Sequence, residues 1–186
     1  DVQEPLTGVA LPEDASATVH TRMPSFTKQV WDARTNSWTS GSRGYVGDTL
    51  RFKLTYASPA DIGAKSIIIR DYLPRGMSFV ASSDSYAVGG VYSDAAGCAS
   101  APSTPVVSAL SGLQYIEWRL CNAAPGATWQ VTLDARVNDS PSDVQPGWIV
   151  ANFGKLSGQN TSGAPYSMRE IATIDYVAPR LVLTKN

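Results

Sequence analysis

Apolar and polar residues alternate with a period of two through much of this chain, and helix-period patterns are nearly absent. Between residues 49 and 56, Leu50, Phe52, Leu54 and Tyr56 face one way and Arg51, Lys53 and Thr55 the other. Successive side chains of a strand point to opposite faces, so this stretch predicts a strand with one buried face. The same pattern predicts strands over 113–120 and 127–137, joined through Ala124-Pro125-Gly126. In the second of these, Trp129, Val131, Leu133, Ala135 and Val137 form an unbroken apolar face, and Trp118 and Trp148 also fall on apolar faces. Residues 66–72 carry apolar side chains on both faces and read as a central strand. Strands are further expected at 15–31 (bent at Pro24), 77–81, 147–157 and 167–177, with shorter ones at 86–92 and 105–109. Residues 36–41 read as a loop and 61–64 as a turn. Many short strands separated by turns indicate an all-β sandwich spanning 15–177, with 1–14 a linker or leader.

Three of these strands place one polar residue where alternation expects an apolar one. Phe26, Lys28 and Val30 share a face, as do Ile67, Ile69 and Asp71, and Trp148, Val150 and Asn152. If the three faces meet in one core, a lysine, an acid and an asparagine are buried together. Each residue alone has a plainer reading: Lys28 as an edge lysine with its head in water, Asp71 as the start of a turn, Asn152 as the partner of a bulge backbone. Together they are the ingredients of a Lys–Asn isopeptide bond. Burial lowers a lysine pKa and raises that of a carboxyl, so the pair can share its proton as two neutral groups. Neutral Lys28 Nζ can then attack the Asn152 carboxamide, with protonated Asp71 stabilising the oxyanion and relaying protons to the departing ammonia. Such a reaction happens once per chain, so the chain is not read as a turnover enzyme.

Composition narrows the setting. The chain has 186 residues, enough for one domain with a real core, and a net charge of −1. No basic stripe points to nucleic acid, and no apolar run approaches the length of a transmembrane helix. No phosphate loop, Ser-His-Asp set or pair of glycosidase carboxylates is found. The scattered aspartates match no calcium loop, and no metal or other cofactor is expected. Cys98 and Cys121 are the only cysteines and His20 the only histidine, a poor metal set. The cysteines read as a disulfide, which places the domain outside the cytoplasm, against the plainer alternative of two unrelated buried thiols. Of the five tryptophans, only Trp31 and Trp38 read as surface aromatics. The segment 178–186 is a linker or the first strand of a following module, because Pro179 to Lys185 echoes Pro24 to Lys28: proline, an apolar strand, then Thr-Lys.

The motifs then carry a family resemblance. Val46-Gly47-Asp48-Thr49-Leu50-Arg51-Phe52 resembles the Gly-Asp-Thr opening of bacterial surface repeats. Asp71-Tyr72-Leu73-Pro74-Arg75-Gly76-Met77-Ser78-Phe79 resembles their Asp-x-Leu-Pro-x-Gly segment, Ala124-Pro125-Gly126 their Pro-Gly turn, and Val150-Ala151-Asn152-Phe153 their late asparagine strand. In this order the segments resemble the eleventh domain-of-unknown-function repeat family, related to the fimbrial isopeptide-forming domains of pilins and adhesins, from about residue 25 to 177. The resemblance implies an Ig-like, collagen-adhesin-like sandwich on a bacterial cell surface. In the variety of these domains that uses an aspartate, the lysine lies on the first strand, the acid precedes Leu-Pro and the asparagine lies late. By position these are Lys28, Asp71 and Asn152. The implied role is a monomeric stalk or adhesin module, its partners the neighbouring modules of the same chain and a host or cell-surface ligand. The alternative is a ligand-binding module of the same fold without a cross-link, recognising a glycan or protein near Trp38 or through residues 82–112.

Overall fold

In the computed structural model the described residues are 23–93, 105–110, 113–138 and 144–177. They form strands β1 (Ser25–Asp32), β2 (Ser37–Thr39), β3 (Gly41–Gly44), β4 (Thr49–Ala57), β5 (Ala64–Tyr72), β6 (Met77–Phe79), β7 (Ser85–Gly89), β8 (Tyr92–Ser93), β9 (Val106–Leu110), β10 (Leu113–Ala123), β11 (Thr128–Val137), β12 (Ile149–Asn160) and β13 (Pro165–Tyr176). One sheet runs β2-β1-β4-β11-β6, with β7 also on β11. The other runs β3-β13-β12-β5-β10-β8, with β9 also on β10. All pairs are antiparallel except β3 with β13. The architecture is the expected all-β sandwich, and among the described residues no helix is long and apolar enough to cross a membrane.

Period-2 burial builds the core. Leu50, Phe52, Leu54 and Tyr56 of β4 point inward, as do Trp129, Val131, Leu133, Ala135 and Val137 of β11. From the second sheet Ile67 and Ile69 of β5, Ile116, Trp118 and Leu120 of β10, Leu156 of β12 and Ala172 and Ile174 of β13 meet them. Trp118 and Trp129 pack across the interior with ring centroids 5.8 Å apart. β5 is central, flanked by β10 and β12, as its doubly apolar pattern implied.

Two expectations need correction. The segment 36–41, expected as a loop, instead holds β2 and the start of β3. β2 pairs with β1 through Trp31 opposite Trp38, and β3 leaves that sheet to lie parallel to β13, so one short run closes one side of the sandwich. Trp148 is not core but 44% exposed. It precedes β12, in a turn whose Gly147 has φ of 84° and whose Trp148 N–H donates to Gln145, so strand alternation has not yet begun there. Residues 1–14, the terminal echo at 178–186 and Cys98 lie outside the described residues.

Candidate functional site

β1 belongs to one sheet, β5 and β12 to the other, and the three polar intruders face one another across the sandwich. Lys28 sits between Phe26 and Val30, opposite Leu54 of β4. Asp71 lies opposite Ile116 of β10 on one side and Gly154 of β12 on the other. Asn152, two residues before Gly154, is the diagonal neighbour of Asp71 on the same inner face. Asp71 and Asn152 are fully buried and Lys28 nearly so, with no part of the Lys28 and Asp71 side chains reaching solvent. This removes the plainer readings of an edge lysine with its head in water and a turn aspartate.

Lys28 Nζ donates a hydrogen bond to Asp71 Oδ2 and stands 5.2 Å from the centroid of the Phe52 ring. Asp71 Oδ1 has no hydrogen-bond partner. The Asn152 carboxamide lies close enough to Asp71 to draw its pKa down slightly, yet neither Oδ1 nor Nδ2 completes a well-formed hydrogen bond. Burial dominates the electrostatics. It pushes the Lys28 ammonium below its ordinary range, against the attraction of Asp71, and pushes the Asp71 carboxyl above its ordinary range, against Lys28. The two shifts move the pair toward one shared proton and two neutral groups.

The alternation that fills the core also walls the site. Phe26 and Leu54 press against Gly154, where an added Cβ would stand 3.0 Å from Leu54 Cδ2 and 3.0 Å from Phe26 Cζ. Sequence reasoning gave Gly154 no role in the site, although its inward position follows from the spacing Asn152, Gly154, Leu156. It also passed over Glu117, buried on the opposite face between Arg70 (2.6 Å) and Arg119 (2.8 Å). No group of three or more metal-ligating side chains occurs among the described residues. Cys121 is buried at an irregularity in β10 with φ of 63°, and no described cysteine is free.

No family model matches the chain, and no curated protein matches it. Solved structures do. A variant of BcpA, the major pilin subunit of Bacillus cereus, superposes with a TM-score of 0.59 at 12% identity, over 83% of this chain and 40% of that one. BcpA itself gives 0.55 at 11% identity, over 87% and 45%. The major pilin SpaD of Corynebacterium diphtheriae gives 0.51 at 10%, over 79% and 34%. At these identities the likeness establishes the sandwich fold. The chain spans less than half the length of each of these pilins.

Proposed function

We propose that the chain is a structural module of a bacterial surface protein, of the pilus or adhesin-stalk kind, locked by an isopeptide bond between Lys28 and Asn152. The observation that carries the reading is Asn152: a fully buried carboxamide with both polar atoms unpartnered, beside a buried Lys–Asp pair. An orphaned buried polar group costs about 1–3 kcal/mol, a steep cost for a side chain that does nothing. Covalent reaction gives that carboxamide a use. In the neutral pair Lys28 Nζ carries a lone pair and Asp71 a proton. Nζ attacks Asn152 Cγ while Asp71 hydrogen-bonds Oδ1. A proton passes from Nζ through Asp71 to the leaving nitrogen, the Cγ–Nδ2 bond breaks, and ammonia departs. Asp71 ends as it began, and the link joins the two sheets near one end of the sandwich. No cofactor is required and no turnover follows. The sandwich shared with pilin subunits supports an extracellular setting with neighbouring modules as partners. A Cys98–Cys121 disulfide belongs to the same proposal. The test is intact mass after reduction: the wild-type protein should be lighter than its sequence by one ammonia, and Lys28→Ala or Asp71→Ala should restore the full mass. A wild-type mass equal to the sequence mass would overturn the reading.

A second reading keeps the fold and adds a ligand. Trp31 and Trp38 pack edge to face at 5.4 Å and, with Thr49, Arg51 and Asp134, line an open pocket of about 340 Å³ on the outer face of the first sheet. Tryptophan beside a bidentate Arg51–Asp134 pair suits a sugar ring. Glycan-array binding lost in Trp31→Ala would favour it; no binding would remove it.

A further inference from the structure

We infer that the two residues after Asn152, Phe153 outside and Gly154 inside, are positioning residues that set the distance between Asn152, Asp71 and Lys28; this rests on the isopeptide reading. The pairing of β12 with β5 runs from Phe153 opposite Tyr72 toward Asn160 opposite Ala64. Phe153–Tyr72 is thus the last rung at this end, and Asn152 lies one residue beyond it. Asp71 immediately precedes Tyr72. The rung that fixes the reacting pair is therefore made by their own chain neighbours.

That rung is clamped on the outer face. The Phe153 and Tyr72 rings stack with centroids 4.5 Å apart and planes 13° from parallel. Arg169 of β13 caps the far side of Phe153, its guanidinium 4.1 Å from the ring centroid. Tyr115 of β10 continues the row beyond Tyr72 at 5.5 Å. Stacked aromatic pairs contribute beyond their buried area, so the stack resists fraying where β5 departs at Leu73-Pro74.

On the inner face, Gly154 lies directly opposite Asp71. Its missing side chain lets Phe26 and Leu54 close down on β12. Phe26 is two residues before Lys28 on the same strand face, and Leu54 is the register partner of Lys28. A methyl group at 154 would press on the ends of both side chains, which must give by a few tenths of an ångström, and both flank Lys28. Amide attack needs a near-attack contact, and displacement by about 1 Å can cost about 100-fold in rate. Gly154 thus sets the sheet-to-sheet spacing at the point of reaction, and Phe153 sets the strand-to-strand register.

The test follows bond formation in time. Chain kept unfolded in urea since synthesis is refolded at neutral pH, quenched in acid at intervals, and scored by intact mass for loss of ammonia. Phe153→Ala and Gly154→Ala should each react about tenfold more slowly than wild type, on the scale that sub-ångström displacement sets. Phe153→Tyr, which keeps the stack, should react at the wild-type rate. Val88→Ala is the control: it trims an exposed side chain on β7, which pairs with β11 and carries no reacting residue, and should leave the rate unchanged. Stability of each variant, measured in an Asp71→Ala background where no bond forms, separates slow chemistry from poor folding. If wild type loses ammonia and Phe153→Ala and Gly154→Ala match its rate, the inference is overturned while the isopeptide reading stands. It is equally overturned if Val88→Ala slows the reaction as much as they do. If wild type loses no ammonia at all, the isopeptide reading falls first.

Discussion

Asp71 and Glu117 are two buried acids on adjacent rungs of one strand pair, Asp71 opposite Ile116 and Arg70 opposite Glu117. One is fully buried and the other 5% exposed, yet their carboxyls shift in opposite directions. Asp71 faces inward, where burial raises its pKa and its partner Lys28 is itself stripped of water. Glu117 faces outward. Burial would raise it too, but hydrogen bonds from Arg70 and Arg119 outweigh burial and hold it below the usual carboxylate range. Those arginine side chains keep 32% and 59% of their surface in water. The difference lies in the partner. A guanidinium that stays hydrated keeps its charge and its fork of donors, and so keeps the acid ionised. A lysine buried with the acid is itself pushed toward its neutral form, so the pair moves toward sharing one proton. One acid is a structural tie, and the other is the one to which the proposed cross-link assigns chemistry.

The largest effects should come from breaking the inner member of this comparison. Asn152→Ala and Lys28→Ala should each abolish the proposed cross-link. On the chain-entropy model for a loop of this size, the loss is about 5 kcal/mol in urea denaturation. Asp71→Ala should lose the bond and also leave Lys28 buried without its acid, which adds about 3–5 kcal/mol where one partner of a buried pair is removed. Asp71→Asn keeps shape and hydrogen bonding but carries no transferable acid proton. Refolding followed by intact mass should show bond formation slowed by at least about 100-fold. An Asp71→Asn chain that cross-links at the wild-type rate would refute the proton-relay role.

The pH dependence sharpens the same contrast. Reaction needs Lys28 without its proton and Asp71 with one. Lys28 is lowered from 10.5 and Asp71 raised from 3.8, so the reactive form persists between two limits. At acid pH below the depressed Lys28 value, the amine stays protonated and the rate falls. At alkaline pH above the elevated Asp71 value, the acid is lost and the rate falls again. Bond formation should therefore be bell-shaped in pH, with both limits belonging to the coupled pair. A rate rising steadily into alkali would mean that Asp71 acts only as a base.

Much of this was legible because strands advertise their inner face. Lys28, Asp71 and Asn152 were readable as misfits in runs such as Phe26-x-x-x-Val30, where only one side chain breaks the apolar series. What alternation cannot show is a partner supplied from elsewhere. Glu117 occupies an outward position between Ile116 and Trp118, and its burial comes from arginine side chains on its own strand and the next. β3 drew no strand expectation because Gly41-Ser42-Arg43-Gly44 has little strand propensity; it is ordered by parallel pairing with β13, more than a hundred residues onward. Trp148 matches the apolar period by count but lies outside the core, because the turn at Gly147 resets the phase.

Breaking the outer member should be milder. Glu117→Gln weakens two charge-assisted contacts without touching the interior. It should cost about 1.5–3 kcal/mol, the range for a hydrogen bond to a charged group, and leave the ammonia deficit intact. Loss of the cross-link in Glu117→Gln would show that the two acids are coupled through β5, contrary to their opposite facing.

The smallest effect tests the identity of the nucleophile. Lys155 lies on the same strand as Asn152, three residues on, and so is the nearest rival by sequence. Its side chain faces outward, where its register partners are Arg70 and Arg169. Like charges directly opposite one another destabilise a sheet, so Lys155→Ala should be neutral or stabilise by a few tenths of a kcal/mol. Lys53 also alternates outward, 4.5 Å from the Trp38 ring centroid, and Lys53→Ala should cost no more than about 1 kcal/mol. Neither can reach the Asn152 carboxamide through the sheet, so both variants should show the full loss of one ammonia by intact mass. A Lys155→Ala chain of unaltered sequence mass would transfer the nucleophile's role to the outer face and dissolve the contrast between the two acids.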